Sequence, residues 1–206
     1  MTTTQNLHPA SKRTRIVSHI DLISEQWTYE RSDLDLYNFF LHMYVVRLGR
    51  IFEQLAMRQC QSRFGLRLSD IRVLLALRRG GRPFAKRPTD LFKALLVTSG
   101  AMTKQVDRLQ KMRFVERIPD PAFGGGSLIM LTRKGLALVD EVATVLAKES
   151  VIAPAIARLS DNEREIGIQF IRRVLNEMEV LMNEIGDGDS RNYQEDETSR
   201  VRLIDS

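Results

Sequence analysis

From Leu36 onward, apolar residues recur at Leu36, Phe40, Met43, Tyr44, Leu48, Ile51 and Leu55, a spacing of three and four that predicts one long helix with an apolar stripe. Ahead of it, the cluster Ile20, Leu22, Ile23 and Trp27 predicts a short helix closing an N-terminal arm. Beyond it, Ser69 is expected to cap a helix carrying Ile71, Leu74 and Leu75, which Gly80-Gly81 stops. Pro88 suits a first helical turn, where its missing N–H would have no partner, and that helix should end near Leu95. Thr98 or Ser99 then caps a helix whose inward face is Met102, Val106 and Leu109.

After this helix the pattern changes. Phe114 to Ile118 reads as a strand, Asp120 to Gly126 as a loop, and Ser127 to Leu131 as the returning strand. Thr132 caps another long helix, with Leu136, Val139, Val142 and Leu146 in register and Pro154 ahead. Ser160 and Glu163 have capping-box spacing before a last helix that bears Phe170, Ile171, Val174, Leu175, Met178, Leu181, Met182 and Ile185 and is expected to end at Gly186. The predicted class is mainly α with a small β-hairpin wing. No internal repeat is present.

Helix, tight turn, helix, strand, glycine-rich hairpin and strand, in that order, spell a winged helix-turn-helix, whose second helix meets base edges in the major groove of duplex DNA. The tip of that helix offers Thr98, Ser99, Gly100, Thr103 and Lys104, with Arg108 expected at a phosphate. Lys93, Lys104, Arg108, Lys111, Arg113 and Arg117 crowd the stretch against only Asp90, Asp107 and Glu116, an excess that suits a polyanion. Arg117 has two readings, a phosphate contact or the end of an exposed strand face.

Composition agrees and narrows the alternatives. The 206 residues carry a formal net charge of +5 and 43% hydrophobic side chains, enough for a buried core. Cys60 is the sole cysteine, which excludes a disulfide framework and a cysteine-rich zinc site and fits a reducing compartment. The N-terminal sequence lacks the apolar run of a signal peptide and no stretch approaches a bilayer span, so a cytoplasmic protein with no membrane role is expected. His8, His19 and His42 form no HExxH, no GxSxG elbow occurs, and Gly124-Gly125-Gly126 lacks the Lys-Ser or Lys-Thr of a phosphate loop. No enzyme, cofactor or metal site is therefore expected. His42 and Arg47, close together on the first long helix, are candidates to line an effector pocket and meet a carboxylate, or else simply occupy an interface and a wet face. Cys60, beside Arg58 and Gln59, is either a low-pKa thiol or an ordinary buried one.

From about Tyr37 to Met182 the chain resembles the multiple antibiotic resistance regulator (MarR) family of bacterial transcription factors, through GLRLSDIRVLLAL, PTDLFKALLVTSGAMTKQVDRLQK and FVERIPDPAFGGGSLIMLTRKG. The resemblance implies a winged helix-turn-helix with N- and C-terminal dimerisation helices, located in the bacterial cytoplasm on the nucleoid. The expected division is a partly helical arm (1–32), dimerisation helices (33–62 and 133–185), a DNA-binding region (63–132) and an acidic, disordered tail (186–206). The implied function is a ligand-responsive repressor that binds a pseudo-palindromic operator in double-stranded DNA as a homodimer. A small effector, such as an aromatic or phenolic acid, would release it.

Three departures matter. The family wing usually reads D-P-x-D-x-R with its arginine in the minor groove, whereas here Asp120-Pro121-Ala122 runs into Phe123-Gly124-Gly125-Gly126. Phe123 could wedge between base steps or stay in solvent or at an interface, and the 120–127 hairpin, Gly125 included, is expected to supply a weaker minor-groove contact. Leu96 and Arg113 stand where the family often has glycine, and Gly100 and Ala101 where it is commonly polar. The altered wing motivates an alternative: a winged-helix sensor or protein-interaction module with weakened or lost operator binding.

Overall fold

A computed structural model describes residues 18–122 and 124–202, with side chains as far as Glu184. The chain divides after Thr144 into two compact units. The sequence expectations for residues 1–17, for Phe123 and for the end of the acidic tail lie outside the described residues.

The first unit opens with α1 (His19–Glu30) and α2 (Tyr37–Phe64). Ser18 and Asp21 close a reciprocal capping box on α1, satisfying two amide donors that the first turn would otherwise leave unpaired. The two helices run antiparallel: Trp27 meets Phe39 edge-on at 5.0 Å, and the Ser24 and Tyr44 hydroxyls lie 3.0 Å apart. Only Ala56 and Cys60 of α2 are buried, so the apolar stripe read from Leu36 to Leu55 remains largely uncovered in the single chain.

Next come α3 (Leu68–Arg79), β1 (Ala85–Lys86), α4 (Pro88–Ala94), α5 (Ser99–Lys111), β2 (Val115–Pro119), β3 (Ser127–Leu131) and the start of α6 (Arg133–Glu149). Their core is Ile71, Leu74 and Leu77 of α3, Leu91 of α4, Met102, Val106 and Leu109 of α5, Val115, Ile129 and Leu131 of the sheet, and Val139 and Val142 of α6. The sheet is antiparallel in the order β1-β3-β2, with Ala85 opposite Met130 and Val115 opposite Leu131. This is the winged helix expected from the sequence. The strand β1 was not expected: two residues carry no alternation, and they are extended only because β3 offers them a free edge.

Ser69 does not cap α3. The helix begins two residues earlier, behind Arg67, whose guanidinium has no acceptor to offer the first-turn amides, so α3 has no side-chain cap. Thr98 rather than Ser99 caps α5, accepting from the Ala101 amide at 3.2 Å.

The second unit contains the end of α6, a short α7 (Ala153–Ile156) and α8 (Asp161–Arg202). Ser160 accepts from the Glu163 amide at 3.3 Å and its own amide donates to the Glu163 carboxylate at 2.8 Å, the capping box that the spacing predicts. α8 continues through Gly186 to Arg202 instead of ending at the glycine. A helix-interior glycine costs only about 1 kcal/mol relative to alanine, too little to stop a helix whose backbone does not turn left-handed there.

Candidate nucleic-acid interface

Between α4 and α5 the chain reverses in a few residues. The Leu96 amide donates to the Lys93 carbonyl at 3.3 Å and the Val97 amide to the Phe92 carbonyl at 3.1 Å, the pair of bonds that ends a helix when the intervening residue is left-handed. Leu96 is that residue, with φ 53°. The same device recurs after α5, where Arg113 has φ 61° and the Phe114 amide reaches back to the Leu109 carbonyl at 2.9 Å. Both positions where the sequence departs from a glycine pattern therefore keep the left-handed turn and tolerate a side chain in it.

This turn aims α5. Met102, Gln105, Val106 and Leu109 are buried, while Ser99, Gly100, Thr103, Lys104 and Asp107 face solvent on the opposite side. A Cβ at Gly100 would meet nothing within 4 Å, so the fold does not demand glycine there. Its missing side chain leaves backbone exposed for close approach at the helix tip. The first turn of α5 contains no acidic residue, so the positive end of the helix dipole is uncompensated and suits a phosphate. Thr103 donates its hydroxyl to the Ser99 carbonyl at 3.0 Å, leaving the oxygen free to accept from a base amino group.

Two predicted cations are differently engaged. Arg108 is not directed to solvent: it grips the Asp70 carboxylate with Nε at 3.1 Å and Nη2 at 2.5 Å, and Asp70 is almost wholly buried. This planar, two-bond pair ties α5 to α3. Arg117 of β2 bonds Asp107 at 3.0 Å, masking the carboxylate on the outward face of α5 that would otherwise repel a polyanion.

The wing is anchored at its base. The Asp120 carboxylate, 4% exposed, accepts from Arg87 Nε at 2.6 Å and from the Ala122 amide at 3.0 Å. Those hydrogen bonds hold its pKa below the ordinary carboxylate value. Beyond it, Gly125 is left-handed at φ 84° with open space around it. Asp70 and Arg87 were not singled out in the sequence, because their partners stand 38 and 33 residues away and no local pattern connects them.

The effector candidates His42 and Arg47 come together in a cleft between α1 and α2, with Arg50. Cys60 is buried and burial pushes its thiol up, contrary to a reactive thiolate. Among the described residues no cluster of three metal-ligating side chains occurs, and no helix is long and apolar enough to cross a membrane.

Residues 64–122, which span α3, α4, α5, β2 and the wing base, match the model of the MarR family. The transcriptional regulator PecS of Dickeya dadantii is 26% identical over 163 residues, covering 79% of this chain and 90% of that protein. A MarR variant of Escherichia coli, solved in complex with operator DNA, superimposes with a TM-score of 0.58 at 24% identity over 69% of this chain and 99% of its own. BpsR of Bordetella bronchiseptica, whose DNA binding is regulated by 6-hydroxynicotinic acid, gives 0.55 at 22% identity over 65% and 91%. The left-handed turns, the buried face of α5 and the hairpin that follows it are thus those of a winged helix, the fold of these solved regulators, and over residues 64–122 the chain is similar to the MarR family.

Proposed function

We propose that the protein is a ligand-responsive, DNA-binding transcriptional regulator that acts as a homodimeric repressor in the cytoplasm. The observation that carries this reading is the two-sidedness of α5: a fully buried apolar face fixes the helix, and its opposite face presents Ser99, Gly100, Thr103 and Lys104 without an unmasked acid. These four would read bases, and the α5 N-terminus would hold a phosphate. Arg108 and Thr98 act behind them, one fixing the helix to α3 and the other capping it.

Dimerisation is supported by exposed apolar side chains on α2 (Val45, Leu48, Phe52, Leu55) and on α8 (Ile171, Val174, Leu175, Met178). A second copy is the economical cover for such stripes. A two-fold dimer would set its recognition helices about one DNA turn, ~34 Å, apart and select a pseudo-palindrome. That MarR binds operator DNA and that BpsR responds to a small aromatic acid support the same assignment.

The test is a titration of DNA from upstream of its own gene at several salt concentrations. Lys104→Ala is expected to weaken binding about tenfold or more, as loss of a base or phosphate contact does. Unchanged affinity and unchanged salt slope would remove α5 as the reader.

A second reading, a sensor or interaction module without an operator, is favoured by one observation: residues 120–126 contain no arginine or lysine. Footprinting separates the two. A protected palindrome supports the regulator, and absence of protection at low salt supports the module.

A further inference from the structure

Gly100, Thr103 and Asp107 follow one another at spacings of three and four, so they form one line down the exposed face of α5. Asp107 is the only acid in that helix. Duplex DNA carries one negative charge per ~1.7 Å of its axis, so a carboxylate in that line opposes every sequence alike unless a base offers it a donor. Lys104 and Lys111, three residues before it and four after, stand where a helix commonly neutralises an acid, yet neither pairs with it among the described residues.

The partner comes instead from outside the helix. Arg117 of β2 donates from Nη2 to Asp107 Oδ1 at 3.0 Å. The second oxygen, Oδ2, belongs to a side chain that is 52% exposed, and it accepts from no group among the described residues. The charge is thus offset while one acceptor stays open. Reach favours its use: Ser99, Gly100 and Ala101 are small, so no bulky side chain holds the helix tip away from a groove. Aspartate is short, and only such a close approach brings its carboxylate to a base edge. In the major groove cytosine presents an amino donor alone, whereas adenine sets the N7 acceptor beside its amino group and guanine and thymine present acceptors. A carboxylate, which only accepts, is therefore matched by cytosine.

We infer that Asp107 is a specificity-determining residue of α5: its open carboxylate oxygen accepts a hydrogen bond from the N4 amino group of a cytosine in each half-site, while Arg117 holds the other oxygen and offsets the charge. This rests on the proposed operator binding and deepens it, setting beside Ser99, Gly100, Thr103 and Lys104 a residue that selects sequence and adds no general affinity. In the sequence Asp107 reads only as a charge opposed to the surrounding cations.

The experiment selects duplexes from a random library with the full-length protein at fixed ionic strength. The wild type should enrich a palindrome with a constant cytosine in each half-site. Asp107→Asn, nearly isosteric, should replace that cytosine by adenine, because an amide pairs with adenine N6 and N7, and should leave the other positions of the motif as they are. On a duplex with that cytosine changed to thymine, the wild type should lose about tenfold in affinity and Asp107→Ala should lose none. Asp107 is exposed, so neither variant disturbs the core. A wild-type motif without the cytosine overturns the assignment. So does a gain in Asp107→Ala that is equal on all duplexes, which would reduce Asp107 to a repelling charge. A wild-type motif that Asp107→Asn leaves unaltered overturns this assignment alone, whereas a wild type that enriches no motif overturns the operator reading with it.

Discussion

Leu96 and Arg113 hold a left-handed backbone that costs an ordinary L-residue roughly 1–2 kcal/mol and glycine almost nothing. Leu96 is 74% exposed, so little burial is lost when its side chain is removed. Leu96→Gly and Arg113→Gly should each stabilise the protein by up to about 1 kcal/mol, read as a rise in melting temperature of roughly 2–4 °C. A fall for both would mean that the side chains, rather than the turn, hold these positions. Asp120 supplies a second residue-level expectation. Hydrogen bonds from Arg87 and then Ala122 lower its pKa, so the wing base is stabilised above the unfolded carboxylate pKa and loses that stabilisation as pH falls through the lower, folded value. In Arg87→Gln, the Asp120 carboxyl followed by NMR should titrate at higher pH than in the wild type. An unmoved titration would remove Arg87 as the cause.

At the level of elements, the junction of α5, β2 and α6 shows how closely the winged helix is fitted. The Thr132 hydroxyl donates to the Arg113 carbonyl at 2.8 Å and accepts from the Gly135 amide at 3.0 Å, while Lys134 Nζ donates to the Met112 carbonyl at 3.1 Å. A Cβ on Gly135 would lie 1.9 Å from the Phe114 carbonyl oxygen. Gly135→Ala should therefore force α6 from the turn and cost about 2–3 kcal/mol, measured by urea unfolding. A variant as stable as the wild type would mean that α6 is not seated as described. Much of this architecture was legible beforehand: the apolar period located α2, α5, α6 and the hairpin strands, and Pro88 and Ser160 marked helix starts. What escaped were features made by distant partners. β1 exists through β3, Asp70 bonds across 38 residues, and Arg108, expected at a phosphate, is captured by that buried carboxylate. The α8 boundary was misplaced because the helix runs on through Gly186 to Arg202 despite the turn-like Gly186-Asp187-Gly188.

For the whole molecule, the decisive quantity is apolar surface that the single chain does not cover. Ile171, Val174, Leu175 and Met178 are 39–57% exposed on a helix otherwise rich in charge. Leu175→Lys/Met178→Glu should shift the sedimenting species toward the monomer and, in the proposed homodimer, weaken palindrome binding far more than half-site binding. A doubly substituted protein that sediments as the wild type does would exclude this face from self-association.

The seating of α6 on the Arg113 turn has a mechanical consequence. Its first residues are pinned to the carbonyls of Met112, Arg113 and Phe114, which lie between α5 and β2. A rigid rod attached at such a pivot cannot tilt without dragging the pivot along. A push on the first turns of α6 thereby acts on α5 and β2 at once, with Thr132 as the hinge pin.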